Sequence, residues 1–125
     1  MQRYILITGS FLGFFSVLFG AFGAHLLEPH LIVIDRLDTY ETAVKYQFYH
    51  VFLILILGLL YNHFNQSIIN YAFFVCVSGI FLFSGSLYVL CLTNNSVWGI
   101  ITPFGGILLI ISWLLLFFSI KRSNT

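Results

Sequence analysis

The residues of this sequence best equipped for chemistry are His25 and His50, with a sparse set of hydroxyl and amide side chains: Tyr46, Gln47, Ser84, Ser86, Tyr88 and Thr102. Imidazole changes charge near neutral pH without perturbation, so a histidine pair suggests proton handling or the ligation of a metal or haem. Tyr46 and His50 are four residues apart and share a helical face with Gln47 beside it, and Ser84 and Tyr88 repeat that interval. The donor set stops there. Two imidazoles without a third ligand fall short of a zinc site. No buried carboxylate pair, nucleophile with an adjacent base, phosphate-cradling loop or internal repeat can be assembled. The sequence therefore predicts no catalytic residue, no metal site and no cofactor. The plainer reading is that the imidazoles hydrogen-bond near water while the hydroxyls bridge neighbouring helices.

The elements that position these residues belong to a membrane. Only 7% of the 125 residues are charged, where a soluble domain carries about a quarter, and 60% are hydrophobic. No Asp, Glu, Lys or Arg lies between Lys45 and Lys121. A net charge of +1 on scattered Lys and Arg excludes nucleic acid as a partner. Cys76 and Cys91, fifteen residues apart on one expected helix, are separated by about 22 Å, too far for a disulfide.

The hydrophobic runs predict an all-α, single-domain integral membrane bundle of four transmembrane helices, over residues 4–27, 47–64, 71–92 and 102–120. The first run resembles a secretory signal in having Arg3 before it and small residues at Ala21 to Ala24. Its length and the membrane character of the remaining chain predict that it is retained. Residues 28–46 hold six of the nine charges and Pro29, and are expected to form a solvated, partly helical loop in which Asp38 caps a helix and Glu41 completes a capping box. Asn65 to Asn70 reads as a short polar turn. For the fourth span, Thr102 as N-cap with Pro103 at the first helical position is favoured over a start near Ser96 with a kink at Pro103; Trp98 then lies in an interfacial segment. Four spans place both termini on one side, with Arg3, Lys121 and Arg122, and the positive-charge bias predicts that side to be cytoplasmic.

Gly9, Gly13, Ser16, Gly20 and Gly23 recur at intervals of 4, 3, 4 and 3, a seam of small residues along one face of the first span. Its expected use is helix packing inside the bundle, with a homo-oligomer contact as the alternative. Threading the four spans brings His25, Tyr46, Gln47, His50, Ser84, Ser86, Tyr88 and Thr102 to the long-loop end of the molecule, with His25 turned roughly 100 to 200° around its helix from the glycine seam.

Four segments, Gly20 to His25, Thr42 to His50, Leu82 to Tyr88 and Ile101 to Gly106, together resemble the domain-of-unknown-function 423 family of small inner-membrane proteins, the YgdD/YwdK group. The likeness covers nearly the whole chain and departs from the family at Leu26 and Tyr40, where Gly and Trp are common. It implies a four-helix protein of the bacterial inner membrane, without implying an activity. The leading functional expectation is a non-enzymatic accessory, assembly or scaffold protein that meets the lipid bilayer and a larger membrane complex or its own copies through helix packing. A small-solute or proton pathway through the polar half is the first alternative, and a histidine-ligated cofactor or redox subunit the second.

Overall fold

The computed structural model describes residues 1–122, and every regular element among them is helical. Helix α1 (Gln2–Phe22) passes through a π turn, Gly23–Leu27, into α2 (Glu28–Val33), giving one helical run of 32 residues. Pro29 accounts for the π turn. It has no N–H to donate, and its ring conflicts with the carbonyl four residues back, at His25, so a wider turn lets the helix continue. The run ends where the amides of Asp35 and Arg36 donate back to the carbonyls of Ile32 (3.1 Å) and Leu31 (2.8 Å), with Asp35 at φ 58°. This is a Schellman closure with aspartate at the position glycine usually takes.

That closure fixes the start of the next helix and corrects the expected capping. Helix α3 (Leu37–Leu60) begins one residue after Arg36, which precedes it without a side-chain cap. Asp38 is already in the first turn, so the expected capping box is not formed; its carbonyl accepts from Thr42 Oγ1 at 2.8 Å. The charges of residues 28–46 are on the outer side, with Glu28, Asp35, Asp38, Glu41 and Lys45 exposed. Leu31 and Tyr40 face inward and form a small core with Cys91. The segment is thus polar and partly helical as expected, two helices about a turn at residues 34–36, with its charges outward and one side packed.

Asn65 caps helix α4 (Gln66–Thr93) by accepting from the Ile68 amide at 3.0 Å, so the expected turn at 65–70 is mostly the first turn of this helix. After Asn94, at φ 50°, a 3₁₀ segment (Ser96–Ile100) carrying Trp98 leads to α5 (Thr102–Lys121). Thr102 opens α5 but does not cap it; Ile101 holds the cap position and Pro103 lies within the first turn. Four runs are long and apolar enough to span a membrane: Gln2–Val33, Leu37–Leu60, Gln66–Thr93 and Ser96–Lys121.

Each span rests mainly on its neighbour in sequence, α1 on α3, α3 on α4, and α4 on α5 most extensively. The two middle spans are therefore more enclosed, 44% buried over their most apolar stretches against 17% and 22% for the first and last. The seam of α1 lies against α3. A Cβ on Gly9 would sit 2.8 Å from Leu55, on Gly13 3.3 Å from Val51 and on Gly20 3.5 Å from Val44, while at Gly23 it would overlap the Tyr40 ring. Ser16 is fully buried on the same face. Glycine also sets the α4/α5 approach, where a Cβ on Gly105 would lie 2.7 Å from the Leu82 carbonyl carbon and one on Gly79 2.7 Å from Leu109. In lipid such close backbone approach supplies the dispersion contact that the hydrophobic effect supplies in water.

Candidate functional site

Six of the eight polar residues singled out by type and spacing join helices to one another. Ser84 Oγ donates to the Ala43 carbonyl at 2.7 Å, tying α4 to α3. Ser86 and Thr102 share a 2.6 Å hydroxyl contact between α4 and α5, and Ser86 also reaches the Phe83 carbonyl at 2.9 Å. The Tyr88 hydroxyl donates to Gln47 Oε1 at 2.6 Å, and Gln47 Nε2 donates to the Leu12 carbonyl at 3.2 Å, so one buried amide connects α4, α3 and α1. These interhelical bonds act where water is scarce and an unmade one is costly.

His50 forms a separate contact. Its Nδ1 is 2.7 Å from the Tyr46 carbonyl, which can only accept, so Nδ1 carries the proton. The unprotonated Nε2 accepts from Trp113 Nε1 at 3.1 Å, joining α3 to α5. The imidazole is thus neutral, and the lone pair that a metal or haem iron would need is occupied. Tyr46 is half exposed, with its ring stacked over His50 and 4.8 Å from Phe83.

His25 does not join these residues. It lies in the π turn on the outer surface, beside Leu18, Ala21, Phe22 and Leu26. His25 and His50 line separate pockets, so the two imidazoles do not share one site. Among the described residues no group of three His, Cys, Asp or Glu is placed to hold a metal ion.

The position of His50 along α3 follows from the helix bounds. Its position before the strictly apolar stretch beginning at Val51 suggests a span end; the helix that carries it, expected to start at Asp38, begins at Leu37 and runs through to Leu60. Two interhelical ties lie on either side of it along α3: Ala43 with Ser84 toward α2, and Gly58, whose carbonyl accepts from Gln2 Nε2 at 2.9 Å, toward the other end. His50 lies about 10 Å from the first and about 12 Å from the second, at 1.5 Å rise per residue. Helix α5, whose twenty residues extend about 30 Å, matches the hydrocarbon thickness and carries Trp113 near its middle. His50 is thus inside the span, about 7.5 Å past the exposed Lys45, and meets a tryptophan near the middle of α5.

Two lateral grooves flank these contacts. One, about 530 Å³, runs between α1 and α4 over Gln47, with Phe11, Phe15, Phe19, Ile80, Phe81 and Gly85 among its walls. The other, about 470 Å³, opens between α3 and α5 and is lined by Tyr46, Tyr49, His50, Phe83, Gly106, Leu109, Ile110 and Trp113. Sequence reasoning misses Trp113 and Tyr40. Trp113 interrupts an aliphatic run far from either interface, where tryptophan usually sits, and that is the signal that could have found it. Tyr40 is buried, donates to the Phe19 carbonyl and fills the space left by Gly23, so it is a packing position.

Comparison with known proteins gives a consistent likeness. The family model described as a protein of unknown function, DUF423, matches residues 19–106. A UPF0382 membrane protein of Staphylococcus aureus is 40% identical over 92% of this chain and 93% of its own. The UPF0382 membrane protein YwdK of Bacillus subtilis is 36% identical over 92% of this chain and 94% of its own. The UPF0382 inner membrane protein YgdD of Escherichia coli is 32% identical, with 92% and 87% covered. No solved structure matches.

Proposed function

The chain belongs to the DUF423 family of membrane proteins, and from that premise we propose that it is a non-enzymatic accessory or scaffold protein that works through helix packing. The observation that carries this reading is the use of the polar groups. Gln47, Ser84, Ser86, Tyr88 and Thr102 are engaged between helices, so what the molecule offers outward is mainly apolar: the α1/α4 groove and the exposed Phe11, Phe14 and Val17 of α1. A helix held on one face only, as α1 is by α3, leaves the rest of its surface to lipid or to a partner helix.

Purification from native membranes in mild detergent, with identification of bound proteins and a visible absorption spectrum, tests the proposal. It expects a stable larger complex, or defined homo-oligomers, in a colourless preparation. An isolated monomer would refute it. His50, a buried imidazole within the second span, supports a second reading, a proton pathway, because ionisable residues in membrane interiors commonly serve ion movement. Proteoliposome proton flux abolished by His50→Ala would replace the scaffold reading with that one.

A further inference from the structure

We propose that the groove between α3 and α5 binds a neutral, lipid-soluble quinone. The inference stands apart from the scaffold reading and rests on the chemistry of the groove walls. Tyr46, Tyr49, Phe83 and Trp113 give flat ring surfaces, and Gly106 keeps one wall open, since a Cβ there would meet the Phe83 ring only at an ordinary 3.6 Å. At about 470 Å³ the groove is in the size range of small-molecule sites. Its opening between two membrane helices makes the bilayer the route of entry.

The polar atoms narrow the ligand. Tyr46 and Tyr49 are three and six residues inward of Ala43, about 4.5 and 9 Å deeper than the level where α4 and α3 are tied, at 1.5 Å per residue. They are 41% and 54% exposed, and neither hydroxyl has a hydrogen-bond partner among the described residues. Tyr46 lies at the level of the exposed Lys45, whereas Tyr49 is about 6 Å further in than Lys45, at 1.5 Å per residue, where a hydroxyl favours any acceptor brought to it and an acyl chain brings none. No lining residue carries a formal charge, because His50 is held as the neutral tautomer, so a phosphate headgroup or a carboxylate-bearing macrocycle has no counter-ion there. A planar ring with carbonyl oxygens at opposite edges satisfies the stacking surfaces, the phenol donors and the uncharged lining together. A quinone is the membrane-soluble class with that form.

Trp113 makes the site its own reporter. The experiment uses the full-length Trp98→Phe protein in nanodiscs, leaving Trp113 as the only tryptophan, titrated with a short-chain naphthoquinone while its emission is recorded. The expected result is saturable quenching, weakened roughly three- to tenfold by Tyr49→Phe, the loss expected for one hydrogen bond. Quenching should lose saturation in Trp98→Phe/Gly106→Leu, where the added side chain fills the groove, and thermal unfolding of each variant verifies that it is folded. Linear quenching that is equal in all three proteins reflects partition into the bilayer and overturns the proposal. Saturable quenching relieved equally well by a plain long-chain alkane overturns it too, because the groove would then recognise only hydrocarbon.

Discussion

Replacing Gln47 with leucine tests the central claim that the polar side chains are structural ties. Gln47 is 3% exposed, accepts from the Tyr88 hydroxyl at 2.6 Å and donates to the Leu12 carbonyl at 3.2 Å. Interhelical bonds in membrane proteins are worth about 0.6 kcal/mol on average, and hydrogen bonds in general about 0.5–1.5 kcal/mol, so two of them contribute roughly 1–3 kcal/mol. The Leu12 carbonyl keeps its bond from Ser16 Oγ at 2.8 Å, but the half-buried Tyr88 hydroxyl loses its partner and adds a desolvation cost. The expected loss is roughly 2–4 kcal/mol, since an orphaned polar group costs about 1 kcal/mol or more. Leucine conserves most of the volume, which keeps cavity formation out of the comparison. Reversible unfolding in mixed micelles measures the loss, and a double-mutant cycle with Tyr88→Phe isolates the shared bond. The cycle should return a coupling of about 1 kcal/mol. A Gln47→Leu loss below about 0.5 kcal/mol, or strict additivity with Tyr88→Phe, would refute the reasoning.

The same unfolding measurement checks three further expectations. Gly105→Ala sets a methyl against the α4 backbone at Leu82 and Phe83 and should cost about 1–3 kcal/mol through overpacking, whereas Gly106→Ala should stay within about 0.5 kcal/mol of the parent. Gly23→Ala should be destabilising by a similar 1–3 kcal/mol, roughly, because the Tyr40 ring fills the space, while Gly20→Ala, 3.5 Å from Val44, should be tolerated; equal effects at the two would refute the close-approach argument. Asp35→Val should cost about 1–2 kcal/mol, because a β-branched residue is poorly accommodated at φ 58°, and Asp35→Gly should not.

The four spans and the α1 seam are visible in the sequence because they depend on simple quantities: the length of an uncharged run and the recurrence of small residues. The packed side of the segment 28–46 is not, because its charges mark one side of a helix while Leu31 and Tyr40, which decide its packing, look like isolated apolar residues. Charge density alone predicts water on all sides. The starts of α3 and α4 escape the hydropathy pattern for a related reason. Polar residues such as Asp38, Gln66 and Asn70 occur within helix turns beyond the apolar centre, so hydropathy finds the membrane interior but not the helix end. The polar residues of the candidate site are recognisable by type, yet their pairing is not. Gln47 meets Leu12, a backbone carbonyl with no signature, and His50 meets Trp113 across 63 positions of sequence.

The position of His50 and the identity of its neighbours point in different directions, and the neighbours bear more directly on mechanism. An ionisable side chain within a membrane span suggests proton movement. A relay through neutral imidazole needs an acceptor able to take the proton from one nitrogen and a donor able to deliver one to the other. On the Nδ1 side stands the Tyr46 carbonyl, which accepts a hydrogen bond but does not carry the proton onward. On the Nε2 side stands Trp113, whose indole N–H is a donor with no exchangeable acceptor behind it. Both ends of the relay are closed in this geometry, and Cys76, whose thiol donates weakly to the His50 carbonyl at 3.7 Å, does not reach the ring nitrogens. Movement of the 45% exposed Trp113 within the α3/α5 groove would free Nε2. Any chemistry at His50 is thereby tied to what occupies that groove, which makes the groove the place where the scaffold and pathway readings separate.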